Sequence, residues 1–195
     1  MTIRKGEAWG EPVERPSDLP LVTTDAGISR RYATDPARPV GLSGGDLFGS
    51  LGCPPPRDAA QRLPIDLLEV TLDGVPTFAA AHVVLRRGWW RGPVTAVMNV
   101  DRIGEWNVAP RAHPNDGRFD VVTVAPTMSV RDRWQARKRL PSGTHLPHPE
   151  IEVRTATDRE FAFGRPVHVW VDGVRVADAT SVTATIRPDA FAVVV

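Results

Sequence analysis

Two aspartates stand where a carboxylate could take part in phosphoryl chemistry. Asp25 ends the run LVTTD and Asp46 ends the run LSGGD, each after a short apolar segment and before a stretch of helical composition. This order is typical of strand-to-helix connections in α/β units. A carboxylate at such a connection can hold a magnesium ion and the phosphates of a nucleotide. It can equally cap the helix that follows, which is worth about 1 kcal/mol, and we favour capping for both residues.

Asp172 and the pair His113 and Asp116 are further candidates for chemistry. An Asp-Gly pair at 172–173 separates the alternating stretches VHVWV and VRVA, which is typical of a hairpin turn, although the carboxylate is also a candidate catalytic acid. His113 and Asp116 could hold a metal softer than magnesium, because imidazole is a poor ligand for that hard cation. The run Asn-Asp-Gly at 115–117 favours a simple turn instead.

Three other histidines carry weaker signals. His145 and His148 stand in GTHLPHP, where the intervening proline keeps them off one helical face and no cysteine completes a zinc set. We expect a structural role for both. His82 lies in a predicted strand, and we expect it to be a packed core or edge residue.

The segment RRGWWRG at 86–92 is the clearest candidate for a surface contact. Trp89 and Trp90 are flanked by Arg87 and Arg91, a combination that suits the headgroup region of an anionic membrane. The alternative is that the tryptophans pack on the fold or at a dimer interface. A predicted helix later in the chain supplies further basic residues, which extend the patch or are simply solvated: Arg131, Arg133, Arg137, Lys138 and Arg139.

The elements that must position these residues are mostly strands. An apolar run at 65–72 leads into an Asp-Gly turn, and the later segments EIEVRT, VHVWV and SVTATIR alternate with period two. One helix interrupts them, predicted to begin after Ser129 and to end before Pro141. We therefore predict a mainly β fold. Its parts are a loose leader at 1–19, a remnant α/β unit at 20–55, and a β-sandwich with one helix at 56–195.

Composition limits the partners and the compartment. The 195 residues include 24 basic and 23 acidic ones, so we expect no nucleic-acid partner. Cys53 is the only cysteine, which excludes an internal disulfide and fits a reducing compartment. No stretch is apolar enough to span a bilayer, and the first residues lack the pattern of a secretory signal. We expect a cytoplasmic protein, with peripheral contact with the inner face of the membrane as a further hypothesis.

A series of motifs in the second half of the chain resembles the C-terminal half of bacterial diacylglycerol kinases and related lipid kinases. That half typically contains P-x-D-G-x-L-D-V, K-G-T-H-x-x-H-P, V-D-G-E and a closing apolar strand. This chain has HPNDGRFDVVTV, PSGTHLPHPEIEV, VHVWVDGVRV and IRPDAFAVVV in the same order. Upstream, LSGGDLFGSLGCP lies along the family's G-T-x-N-D-F-A-R-x-L-G-I-P, and TTDAG falls where the family has G-G-D-G-T. The resemblance implies a β-sandwich domain preceded by part of a nucleotide-binding unit.

The same resemblance exposes departures at positions that carry the family's activity. Thr23 and Thr24 replace glycines whose positive φ lets backbone N–H groups surround a phosphate. A β-branched residue in that conformation costs about 1–3 kcal/mol. The glutamate of V-D-G-E is Val174, which cannot accept a proton, and the family's acidic magnesium pair becomes His113 and Asp116. A hairpin at 82–97 replaces an insertion that helps to form the family's lipid pocket, so we expect that pocket to be reduced.

These departures predict a degenerate lipid-kinase-like protein without kinase activity of its own. It would act as a binding or regulatory module toward a protein partner, an anionic membrane surface or a second copy in a homodimer, and we expect no cofactor. The alternative is an ATP-dependent lipid kinase that phosphorylates a diacylglycerol-like hydroxyl, alone or completed in trans by a partner. Mg-ATP would then be held by Asp25 and Asp46, with Asp172 as the surviving acid.

Overall fold

The computed structural model describes residues 9–54 and 59–195, which form thirteen strands and three α-helices. The strands are β1 Glu11–Glu14, β2 Leu21–Val22, β3 Val40–Leu42, β4 Ala59–Leu72, β5 Val75–Ala79, β6 His82–Arg86, β7 Val94–Met98, β8 Arg102–Ile103, β9 Trp106–Asn107, β10 Phe119–Val124, β11 Ile151–Ala156, β12 Asp158–Val171 and β13 Val174–Val194. The helices are α1 Asp25–Thr34, α2 Gly45–Ser50 and α3 Val130–Arg139, and a 3₁₀ turn follows at Leu140–Ser142. The predicted domain boundary between residues 55 and 56 lies outside the described residues.

One large sheet organises the fold. Eleven of the described strands belong to it, and its main path runs β1-β4-β13-β12-β6-β7-β10-β11 with antiparallel neighbours throughout. Asp-Gly pairs at 73–74 and 172–173 form tight turns between successive strands, and both aspartates have positive φ. The predicted hairpins at these positions are confirmed. Strands β8 and β9 form a separate two-stranded sheet.

The central core requires the sheet to fold over itself. Buried side chains of β4, such as Leu68 and Val70, share one cluster with Phe119 and Val121 of β10. Four strands separate β4 from β10 along the main path, so their inner faces meet only when the two halves of the sheet pack against each other. The predicted mainly β fold, a sandwich with one helix, is confirmed.

The α/β unit is joined to the sandwich through both backbone and side chains. Strand β3 pairs in parallel with β2 on one side and with the end of β13 on the other. A second buried cluster includes Ile28 of α1, Leu47 of α2, and Ile65 and Phe191 of the sandwich. The unit that sequence analysis set apart as a remnant therefore shares a sheet and a core with the rest.

The expected loose leader needs a correction for its second half. Residues 1–8 lie outside the described residues, but β1 pairs antiparallel with the start of β4. The Trp9 side chain packs on the second cluster, and its Nε1 donates to the Pro64 carbonyl at 3.2 Å. The segment has no apolar periodicity of its own. Its strand is held by pairing with β4, which lies some 50 residues later in the chain.

Helix α3 begins and ends as predicted. The Ser129 hydroxyl accepts a hydrogen bond from the Asp132 N–H at 3.1 Å, and the helix ends before Pro141. Within the described ranges, no helix combines the length and the apolar character needed to cross a membrane.

Candidate functional site

The fold brings the three candidate aspartates to one place. Asp25, Asp46 and Asp172 meet where the α/β unit contacts the sandwich, together with Ser29 of α1 and His82 of β6. We call these five residues the carboxylate cluster. Asp25, Asp172, Ser29 and His82 are all at least 92% buried.

Asp25 caps a helix other than its own. Its Oδ2 and Oδ1 accept hydrogen bonds from the backbone N–H groups of Asp46 at 2.6 Å and Leu47 at 3.0 Å, in the first turn of α2. Helix α1 is instead capped by Thr24, whose hydroxyl accepts from the Gly27 N–H. The carboxylate comes so near that a Cβ on Gly45 would lie 2.6 Å from it.

Asp46 does not cap a helix, contrary to our interpretation of the sequence. Its Oδ2 lies 2.9 Å from Nε2 of His82, and its Oδ1 accepts a 2.6 Å hydrogen bond from the Gly104 N–H. His82 is 1% exposed, and its Nδ1 has no hydrogen-bond partner within the described structure. Asp46 therefore connects α2 to β6 and to the β8–β9 turn.

Asp172 combines its turn role with a set of buried hydrogen bonds. Its Oδ1 accepts from the backbone N–H groups of Ala81 at 2.9 Å and His82 at 3.1 Å. Its Oδ2 accepts from the Ala80 N–H at 2.9 Å and from the Ser29 hydroxyl at 2.5 Å. One carboxylate thus joins α1, the start of β6 and the β12–β13 turn.

The electrostatics of the cluster depend on burial and on crowded negative charge. Burial raises the pKa of Asp25 to about 6; the hydrogen bonds from Asp46 and Leu47 oppose the rise, and the charges of Asp172 and Asp46 add to it. Burial alone would lower the pKa of His82, but its bond with Asp46 and the surrounding carboxylates outweigh burial and raise it. Protonation of these two residues therefore relieves the excess of negative charge.

The arrangement does not fit a nucleotide with its metal. All six carboxylate oxygens of the three aspartates already accept hydrogen bonds from, or contact, protein groups. The backbone N–H groups that begin α2, which could face a phosphate, are occupied by Asp25. Among the described residues, no group of three or more histidines, cysteines or acids is placed to hold a metal ion.

His113 and Asp116 are half-buried and belong to a second polar group, around the buried residues Asp66 and Asn115. Nδ1 of His113 accepts from the Asn115 N–H at 3.2 Å, and Asp116 accepts from the Arg118 N–H at 3.0 Å, as in a side-chain-stabilised turn. The group centres on Asp66, whose carboxylate accepts from the Gly117 N–H at 2.7 Å. Burial raises the pKa of Asp66 to about 6. The predicted turn at 115–117 is therefore present, and Nδ1 of His113 is occupied by a hydrogen bond within it.

A cavity of about 300 Å³ lies close to the carboxylate cluster. Gly104 of the β8–β9 hairpin donates to Asp46, and the neighbouring Ile103 lines the cavity. Its floor is formed by Val84, Ala96 and Val122 of β6, β7 and β10, and its walls come from α3, the β8–β9 hairpin and the segment between β6 and β7. Fourteen of the seventeen residues that line it are apolar; the others are Arg133, Arg137 and His145. We call it the apolar cavity. Its volume lies at the lower end of the range for ligand pockets.

His145 is one of the three polar residues in the lining of the apolar cavity. The ring is 3% exposed, and its Nε2 lies 3.2 Å from the Val108 carbonyl. A carbonyl only accepts, so Nε2 carries the proton and Nδ1 is the acceptor of the neutral ring. Burial lowers the pKa of His145, against the opposing effect of the bond to Val108. Nδ1 is itself buried and has no hydrogen-bond partner within the described ranges, so neighbouring side chains must move before a ligand hydroxyl can reach it.

The predicted surface tryptophans line the apolar cavity and are also accessible to solvent. Trp89 and Trp90 are 43% and 40% exposed. Arg133 of α3 holds their segment in place, because its guanidinium donates to the carbonyls of Trp89 at 3.0 Å and Gly92 at 2.5 Å. Arg87 and Arg91 are exposed on either side.

Comparison with known proteins gives the family. Residues 66–195 match the sequence model described as the YegS C-terminal NAD kinase beta sandwich-like domain. This match covers more than half of the chain, so the protein belongs to that family, and the resemblance noted in its motifs is confirmed. No curated protein matches the sequence.

Solved structures agree on the fold. A protein from Bacillus anthracis str. Sterne assigned as a diacylglycerol kinase superposes with a TM-score of 0.66 and 12% identity, over 90% of this chain and 77% of the other. A structure of a diacylglycerol kinase from the same organism gives a TM-score of 0.60 and 13% identity, over 90% and 75%. Identities this low establish a diacylglycerol kinase-like fold and nothing more specific.

Sequence reasoning did not identify Asp66, and it gave His82 only the role of a packed core or edge residue. His82 is indeed buried, but its bond with Asp46 was not expected. Each is a single polar residue inside an otherwise apolar run, AAAHVVL and PIDLLEV. A buried polar residue needs partners, so that pattern was the available signal. The partners come from distant segments, and no local rule could identify them.

Proposed function

We propose that this protein is a lipid-binding module of the diacylglycerol kinase-like family that lacks phosphoryl-transfer activity of its own. Its ligand would be a lipid with an apolar chain and at least one hydroxyl, such as an acylglycerol. The observation that carries the proposal is the apolar cavity, which has the buried imidazole of His145 in its lining.

The chemistry of the lining selects this ligand class. An acyl chain gains about 25 cal/mol for each Å² of apolar surface that it removes from water, and fourteen of the lining residues are apolar. A neutral imidazole that accepts a hydrogen bond from a ligand hydroxyl would orient the ligand without requiring it to be ionised. The related structures bear the name diacylglycerol kinase, which is consistent with an acylglycerol as ligand.

The carboxylate cluster supports the absence of catalysis. Phosphoryl transfer depends on positioned charges that stabilise the transferring group. Here Asp25, Asp46 and Asp172 direct their oxygens to donors of the protein itself. A nucleotide would have to break these buried hydrogen bonds, at a cost of about 1–3 kcal/mol for each group left without a partner.

A thermal melt with Mg-ATP tests the catalytic side of the proposal. A ligand present at a hundred times its dissociation constant stabilises the folded state by about 2.7 kcal/mol, which shifts the midpoint by several degrees. We expect no shift with millimolar Mg-ATP. A clear rise in the midpoint, or phosphorylation of dioctanoylglycerol by the pure chain, would overturn this part.

Titration with dioctanoylglycerol below its micelle concentration tests the lipid side. Trp89, Trp90 and Trp106 line the cavity, so binding should change the intrinsic fluorescence. We expect Ala136→Phe, which fills the cavity from α3, to weaken binding at least tenfold. Ala33→Phe, at an exposed position of α1, is the matched control. His145→Phe should weaken binding less, by the loss of one hydrogen bond, and an unchanged affinity of Ala136→Phe would contradict the proposed site.

A further inference from the structure

Beside the apolar cavity, α3 and the segment between β6 and β7 carry a face of exposed aromatic and aliphatic side chains. Trp134 and Val130 of α3 are 50% and 47% exposed, close to the exposure of Trp89 and Trp90. Val130 and Trp134 are four residues apart and lie on one side of the helix. We call these four residues the tryptophan face.

Direct contacts show that the helix and the loop form one surface. The Arg137 guanidinium lies 5.8 Å from the ring centre of Trp90 and 5.3 Å from that of Trp106. The Lys138 ammonium lies 3.6 Å from the ring of Trp134, and the Arg86 guanidinium 4.2 Å from that of Trp89. Each of the three exposed rings therefore has a cation against it.

Positive charge is concentrated around the tryptophan face. Residues 82–98 and 129–139 contain eight of the 24 basic residues of the chain and only one of its 23 acidic residues, so the remainder is acidic overall. That one acid, Asp132, hydrogen-bonds the Ser129 hydroxyl at the start of α3. Arg91 and Arg131 are exposed, and no hydrogen bond or ion pair of theirs is found among the described residues.

We propose that the tryptophan face docks the protein on an anionic lipid bilayer. Tryptophan rings prefer the headgroup region, where the indole buries its apolar body and keeps its N–H hydrated. Arginine and lysine beside the rings attract anionic headgroups, and each contributes to binding near the surface. Tryptophan and arginine are also common at protein interfaces, so the choice of a membrane depends on the excess of positive charge around the face and on the neighbouring apolar cavity.

The position of the apolar cavity supports a membrane as the occupant. Trp89 and Trp90 belong both to the tryptophan face and to the cavity lining, and Arg137 of the lining contacts the Trp90 ring. Docking would therefore place the cavity beside the layer from which a lipid could enter. This step deepens the proposed function, but the docking surface itself depends on exposed residues outside the cavity.

Vesicle flotation tests the docking surface with residues that do not line the cavity. Vesicles of phosphatidylcholine containing phosphatidylserine are compared with pure phosphatidylcholine, at low and at physiological salt. We expect the native chain to float with the anionic vesicles, less so at higher salt, and to stay in solution with the neutral ones. The double variant Arg91→Glu/Arg131→Glu should lower the partition coefficient at least about 25-fold, since each cation removed accounts for about fivefold.

Matched variants make each outcome decisive. Arg30→Glu/Arg159→Glu changes net charge equally at exposed positions away from the tryptophan face, and it should float like the native chain. Trp134→Ala should lower partition several-fold without altering the cavity.

Equal loss in both double variants, or binding that ignores Trp134 and Arg91/Arg131, would overturn the proposal. Concentration-dependent dimerisation abolished by Trp134→Ala would assign the face to a second copy instead. Dioctanoylglycerol binding in solution should survive Arg91→Glu/Arg131→Glu, which separates docking from the lipid-binding proposal.

Discussion

The carboxylate cluster and the apolar cavity share strand β6 and the β8–β9 hairpin, but their polar groups are used in opposite ways. In the cluster, every carboxylate oxygen has a partner within the protein. In the cavity, about 300 Å³ lie between apolar side chains, and the acceptor nitrogen of His145 has no partner within the described ranges. The first arrangement stabilises the fold, and the second leaves binding capacity. One group of polar residues in this fold therefore stabilises the structure, while a neighbouring cavity stays open.

The most severe way to break the cluster is Asp172→Ala. It leaves three buried N–H groups and the Ser29 hydroxyl without their acceptor, so the free energy of unfolding should fall by about 3–5 kcal/mol. Urea denaturation measures the change. Asp178→Ala, at an exposed acid on the same hairpin, should cost less than about 1 kcal/mol. Similar losses for both would mean that the cluster contributes little.

The pH dependence of stability sharpens the comparison through Asp25. Its folded pKa of about 6 lies above the ordinary 3.8, so between these values the folded state binds more protons than the unfolded state. The contribution of Asp25 is therefore greatest below pH 4 and is lost as pH rises to about 6, by up to about 3 kcal/mol.

Asp25→Asn isolates that contribution, because asparagine does not titrate. The difference in unfolding free energy between the native chain and this variant should be larger at pH 4 than at pH 7. Asp66, whose pKa is also raised, remains in both proteins and cancels. The raised pKa of His82 depends partly on the charge of Asp25, so a His82→Gln background removes that coupling from the comparison. A difference that grows with pH would contradict the assigned cause.

Gly45→Ala tests the close approach of Asp25 to α2. Gly45 and Gly52 both have positive φ, +93° and +81°, but a Cβ meets the Asp25 carboxylate only at Gly45 and nothing within 4 Å at Gly52. Gly52→Ala should therefore cost about 1 kcal/mol for backbone conformation alone. Gly45→Ala should cost about 1–2 kcal/mol more, as measured by urea denaturation. Equal costs would show that the carboxylate moves aside freely.

The smallest effect is expected when the cavity is filled. Ala136→Phe places a ring into space that is already open, so stability should change by less than about 1 kcal/mol. The same substitution at Ala184, fully buried in the central core, overpacks the core and should cost about 1–3 kcal/mol or more. Thermal melts compare the two variants. A large loss at Ala136 would show that the cavity tolerates no occupant.

Much of the fold was predictable because its signals are local. Alternation with period two marked the strands, Asp-Gly pairs marked the hairpins at 73–74 and 172–173, and Ser129 marked the start of α3. The ordered part of the leader was missed because β1 depends on a partner strand and has no pattern of its own.

The sequence identified the three aspartates of the candidate site, but not the hydrogen bonds that each of them forms. Sequence alone selected Asp25, Asp46 and Asp172, since carboxylates and glycines at turns and strand ends are visible in the chain. Only the tertiary structure decided that Asp25 caps α2, that Asp46 meets His82, and that Asp172 accepts from donors about 90 and 143 residues away. A carboxylate has no preferred partner until folding removes water and brings one donor near, so the choice belongs to packing rather than to local sequence.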